Sequence, residues 1–94
     1  MATTKLRNRE LENFENLLAG TDTAALDISP YASRYLQHII AHRKFYTRLY
    51  AHVLELALAN CPKHRESICL IDYGAGNGLL GLLAKHCGVG KVFI

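Results

Sequence analysis

Residues 67–87 read S-I-C-L-I-D-Y-G-A-G-N-G-L-L-G-L-L-A-K-H-C. The chemistry here rests on one acid, Asp72, followed by Gly74, Gly76 and Gly78 at every second position. Glycine has no Cβ, so it takes positive φ and lets a ligand come close to the backbone; a series of them leaves a bare concave surface. The apolar run 68–71 before the acid predicts a strand, and 79–86 after the glycines predicts a helix. The free N–H groups of that helix's first turn point toward whatever lies in the loop. Strand, loop and helix in this order would receive a carboxylate, or a string of ribose and phosphate oxygens.

Two cofactor classes use such a turn, and spacing separates them. The dinucleotide fingerprint requires G-x-G-x-x-G directly after the strand. Counted from Gly74, its sixth position is Leu79 and the pattern fails. Counted from Gly76, the pattern returns as Gly76, Gly78 and Gly81, but Asp72, Tyr73 and Gly74 are then pushed into the end of the strand. What stands in the sequence, h-h-h-h-D-x-G-x-G-x-G, resembles motif I of the class I S-adenosylmethionine-dependent methyltransferases. The resemblance implies a Rossmann-like, doubly wound parallel sheet, S-adenosyl-L-methionine as cofactor, and methyl transfer to an acceptor that the sequence does not identify. By position it puts Asp72 where the family's acid helps hold the cofactor's amino group, directly or through water. It puts Gly74, Ala75, Gly76 and Gly78 in the loop beneath the methionine and ribose. Tyr73 falls at a variable position, where its ring either packs beside the cofactor or covers the end of the sheet. The family's ribose-binding acid would fall just past Ile94, and its catalytic base later still. The chain therefore reads as the front part of a longer enzyme, inactive as a piece.

The elements that must position this loop are mostly helical. The 94 residues are half hydrophobic and suffice for one small core. No apolar run approaches a membrane span and no secretory leader is evident, so a cytoplasmic protein is expected. The pattern predicts a helical N-terminal cap over residues 1–66 and, over 67–94, the start of a cofactor-binding α/β domain. The first helix is predicted over 3–19, capped by Thr3 or Thr4 and closed by Gly20 in the left-handed conformation. Leu11, Phe14, Leu17 and Leu18 would lie on its inner side, with Glu12 and Glu15 outside. Ser29-Pro30 starts a second helical run, since serine accepts free N–H groups and proline at the first position gives up no needed donor. This run reaches Asn60 either unbroken or broken near residues 41–44, with Tyr35, Ile39, Tyr46, Tyr50, Val53 and Ala57 forming its apolar stripe. After the motif helix, Gly88 to Gly90 turn into a second strand at 91–94. Two parallel strands alone are not a stable sheet.

The remaining constellations are weaker. His38 and His42 share a helix face as a metal pair would, but lack the glutamate of H-E-x-x-H and a third ligand; no metal is expected. Tyrosines 31, 35, 46 and 50 make either an ordinary amphipathic face or a wall over the cofactor mouth. Cys61, Cys69 and Cys87 are an odd count, which favours reduced thiols. Cys69 is expected in a buried strand, and Cys87 at a helix end where the dipole raises its pKa. A net charge of +3 spread over the chain gives no nucleic-acid signal. Two other readings stay open: a nicotinamide or flavin Rossmann fragment in the Gly76 register, and a non-enzymatic helical module whose 29–60 segment or strand edge mediates homo-oligomerisation.

Overall fold

The computed structural model of the chain describes residues 5–73 and 76–94. The described residues form α1 (Asn8–Ala19), α2 (Pro30–Ala41), α3 (Arg43–Ala59), β1 (Cys69–Ile71), α4 (Leu79–His86) and β2 (Lys91–Phe93). Short 3-10 turns at Thr23–Ala25 and Arg65–Ser67 lead into α2 and β1. The architecture is mixed α/β and mainly helical, with β1 and β2 paired in parallel.

The first helix differs from its sequence pattern at both ends and in phase. It begins at Asn8, with residues 5–7 outside it, because the Arg7 N–H donates to Glu10 Oε2 (2.8 Å) and closes the first turn from within. The predicted caps Thr3 and Thr4 lie outside the described residues. Gly20 ends the helix at φ −83°, not left-handed: its N–H bonds Asn16 O, while the Thr21 hydroxyl bonds Leu17 O. Leu11, Phe14, Glu15 and Leu18 face inward and Leu17 is exposed. Positions 11, 14, 15 and 18 follow the 3.6-residue period, which carries Glu15 inside and Leu17 out. The carboxylate is met by Arg48 at 3.7 Å.

Ser29 caps α2 as its type requires, its Oγ accepting from Ala32 N–H (3.1 Å). The long run is broken at His42 (φ −109°, ψ 29°), so α2 and α3 are separate helices. The break shifts the apolar phase of α3. Thr47, Ala51, Leu54 and Leu58 are buried, while Val53 and Ala57 are exposed and Tyr46 and Tyr50 half-buried. The expected stripe thus holds for Ile39 and is displaced on α3, where packing against α1 and α4 sets the inner face.

One apolar cluster joins the cap to the strands, built from Leu11, Phe14, Leu54 and Leu58 on one side and Leu83, Ala84 and Val89 on the other. The sheet registers Cys69 with Lys91, Leu70 with Val92 and Ile71 with Phe93. Leu70 and Val92 turn to the core. Cys69, Ile71 and Phe93 lie on the opposite, uncovered face, so Cys69 is exposed and not buried as its apolar neighbours suggested. A continuous apolar run marks a strand fit for burial on both faces, and here only one face is covered.

Candidate functional site

Asp72 sits at the carboxyl end of β1. Its N–H donates to Phe93 O (2.8 Å), one residue past the registered pairs, so the strand ladder itself fixes where the acid stands. Its Oδ2 is buried and has no hydrogen-bond partner among the described residues. A carboxylate oxygen in that position lacks a donor, and supplying one is favourable. Tyr73 next to it is 98% exposed, so its ring does not cover the end of the sheet. Gly74 and Ala75 lie outside the described residues.

Beyond them the loop is shaped by two left-handed glycines. Gly76 has φ +58° and Gly78 φ +74°, a region an L side chain enters only with strain. A Cβ on Gly76 would have nothing within 4 Å among the described residues beyond its chain neighbours, which leaves room there for a ligand. Between them Asn77 folds back: its Oδ1 accepts from Leu79 N–H (2.8 Å), an Asx turn leading into α4. One of the helix's free donors is therefore already taken by the chain. The other end of the Asn77 amide donates to the Tyr50 hydroxyl of α3 (3.5 Å).

Gly81, one turn into α4, has a different job. A Cβ there would lie 2.6 Å from Ile94 Cγ1 and 3.3 Å from Val92 Cγ1, so its absence lets the helix approach β2 closely. That is the packing role of the third glycine in a dinucleotide fingerprint. The first glycine of that register, Gly76, nevertheless comes five residues after Ile71, the last residue of β1, instead of directly after the strand.

Two surface cavities lie away from this loop. One of about 340 Å³ is lined by Arg7, Glu10, His64, Arg65 and Cys87. It is a structural joint. Arg65 donates to Glu10 Oε1 (2.7 Å), to Cys87 O (3.1 Å) and to Lys5 O (2.8 Å), tying the start of α1 to the approach to β1 and the end of α4. Burial pulls the Glu10 carboxyl up, but the Arg7 N–H, the Arg65 hydrogen bond and both guanidinium charges outweigh it and hold it below the usual carboxylate range. Burial and the nearby Glu10 charge push the Cys87 thiol up to about 11, against a smaller opposing pull from Arg65. The direction matches the expectation from the helix end, while the main cause is burial. The other cavity, about 510 Å³, lies between Glu12, Glu15 and Asn16 of α1 and Arg43, Lys44 and Arg48 of α3.

The His38 and His42 rings meet tilted at 54° with centroids 4.6 Å apart, and the Tyr46 hydroxyl lies 3.3 Å from His38 Nε2. Among the described residues no group of three or more His, Cys, Asp or Glu is placed to hold a metal ion. No helix among them is long and apolar enough to cross a membrane.

Sequence reasoning singled out Asp72 and the glycines, and the structure places the described ones together at one end of the sheet. The reading of the tyrosines as a wall over the cofactor mouth included Tyr50 but not its contact with Asn77, and Arg65 was missed. An asparagine between two glycines is a turn signal that pointed to Asn77; nothing local in the sequence marks Arg65 or pairs Tyr50 with residue 77. The chain matches no protein family, no curated protein and no solved structure.

Proposed function

We propose that the β1–α4 loop binds S-adenosyl-L-methionine and that the chain belongs to the cofactor-binding part of a methyltransferase. The observation that carries this reading is Asp72: a buried carboxylate oxygen, unpartnered among the described residues, at the carboxyl end of a parallel strand and ahead of the left-handed Gly76 and Gly78. The acid comes one residue after the strand and ahead of the glycines, as in the motif the sequence resembles. Asp72 would accept from the cofactor's amino group. Gly76 and Gly78 would let the backbone lie against it, and N–H groups of the first turn of α4 would face its oxygens. The bound cofactor supplies an electrophilic methyl group on a sulfonium. The chain's own contribution is to hold that group in place, so that a nucleophile from the acceptor meets it in line.

The test is titration of the intact protein with S-adenosylhomocysteine, for the native sequence and for Asp72→Ala. Affinity is expected to fall by about 10-fold or more, the scale of a lost charge-assisted hydrogen bond. The unliganded variant should lose little stability, because the buried Oδ2 that it deletes has no partner among the described residues. Unchanged affinity would remove Asp72 from the site.

Gly81 favours a second reading, a nicotinamide- or flavin-binding Rossmann unit, because its close packing on β2 is what the Gly76 register requires. Competition decides between them. NAD displacing S-adenosylhomocysteine, or binding where the latter does not, would move this reading ahead.

A further inference from the structure

We infer that Tyr50 is a positioning residue for the glycine loop, the point through which the helical cap sets that loop's conformation. Asn77 stands between the two left-handed glycines, and its amide has two faces to satisfy. Oδ1 accepts from Leu79 N–H (2.8 Å) and Nδ2 donates to the Tyr50 hydroxyl (3.5 Å). The two bonds specify one orientation. If the amide flips, Nδ2 faces the Leu79 donor, the Asx turn opens and the entry to α4 is lost. The Leu79 N–H, which can only donate, decides that the amide oxygen faces the helix, and the tyrosine hydroxyl, accepting from the amide nitrogen, holds the other end in place.

The setting makes this bond a link between two bodies of the fold. Tyr50 is half-buried on α3, one residue before the buried Ala51 and four before Leu54, which is 0% exposed, so its ring is carried by the most tightly packed stretch of the cap. α3 is also the main packing partner of α4. A displacement of α3, by anything that seats against the cap, is passed to Asn77 and so to the Gly76–Gly78 turn. The loop's readiness for its ligand is then a property of the cap as well as of the motif.

The positioning role can be tested without any ligand; its effect on affinity rests on the cofactor reading above. Amide hydrogen exchange at Leu79 is measured in the intact protein for Tyr50→Phe, Asn77→Ala and the double variant, followed by S-adenosylhomocysteine titration of each. Tyr50→Phe keeps the ring and its packing and removes only the hydroxyl. It should speed Leu79 exchange and weaken binding by roughly 3- to 10-fold, the range of one modest hydrogen bond. Asn77→Ala removes both the acceptor for Leu79 N–H and the amide that meets Tyr50, so Tyr50→Phe should add nothing on that background. Unchanged Leu79 exchange in Tyr50→Phe, or effects that add fully in the double variant, would overturn the positioning role. A faster Leu79 exchange in a protein that binds no S-adenosylhomocysteine would uphold it and overturn the cofactor reading alone.

Discussion

Among the described glycines, Gly90 is the one whose replacement should damage this fold most. It stands immediately before β2, where its N–H donates to Arg65 O (3.0 Å) and the next N–H, of Lys91, donates to Ile68 O (3.1 Å). A Cβ on Gly90 would collide with Glu66 O, lie 2.9 Å from Glu66 C and 3.3 Å from Ile68 O. These atoms are backbone, so no rotamer change relieves the overlap. Relief means moving β2 off residues 65–68, which breaks both hydrogen bonds at about 1 kcal/mol each and loosens the packing of Val89. We expect Gly90→Ala to cost about 3 kcal/mol or more, a large share of the roughly 5–15 kcal/mol available to a small domain. Two neighbours serve as controls. Gly88 has φ +90° and open space around its missing Cβ, so Gly88→Ala should cost only the left-handed penalty, about 1–2 kcal/mol. Gly81→Ala meets the Ile94 side chain, which is exposed and rotates away. The helix propensity gained, about 1 kcal/mol, offsets the remaining crowding and leaves a change within about 1 kcal/mol. Urea unfolding followed by far-UV circular dichroism gives all three midpoints. A Gly90→Ala midpoint at or above that of Gly88→Ala would refute the reasoning, as would a Gly81→Ala variant as unstable as Gly90→Ala.

Two further predictions concern the joint around Arg65. Because the Glu10 carboxyl is held below its ordinary 4.5, its contribution to stability is complete above that value and is lost as pH falls through the lowered one. Glu10→Gln should therefore destabilise the protein near neutrality, and the difference should close well below pH 4.5; a difference independent of pH would show that the charge of Glu10 is not what Arg65 holds. Thiol labelling at pH 8 should modify the exposed Cys69 first and leave the buried Cys87, with its pKa near 11, until the chain unfolds. Equal rates at the two would contradict the packing of α4 against α1.

What the sequence disclosed followed from how local each signal was. The span 79–86 was legible as α4 to the residue, because glycine stops before it and an apolar period fills it. Ser29-Pro30 announced α2 through a cap that needs no distant partner. Phase was less legible. α3 turned its inner face to Thr47 and Ala51 instead of the predicted stripe, since the break at His42 and the neighbours α1 and α4 choose the buried side. Glu15 reads as a surface residue and is buried beside Arg48, a pairing across two helices that no period encodes. At the site, Asp72 and the glycines were visible because backbone conformation is written in residue type. The pairing of Tyr50 with Asn77 was not, because it spans 27 positions.

The same division explains why the cap and the loop belong to one physical argument. Two parallel strands of three residues each bury little, and their outer face is bare, with Ile71 73% and Phe93 57% exposed. The order of β1, α4 and β2 must therefore come from the layer on the other side. There Leu83 and Ala84 of α4 are fully buried in one cluster with Leu54 and Leu58 of α3 and Phe14 of α1. Arg65 then fastens the start of β1 to α1. A glycine loop has no side chains with which to hold itself, so the openness that lets a ligand approach also leaves its shape to its surroundings. Here those surroundings are α4, fixed by α3, and Asn77, fixed by Tyr50. The cap is what converts a permissive run of glycines into one defined turn.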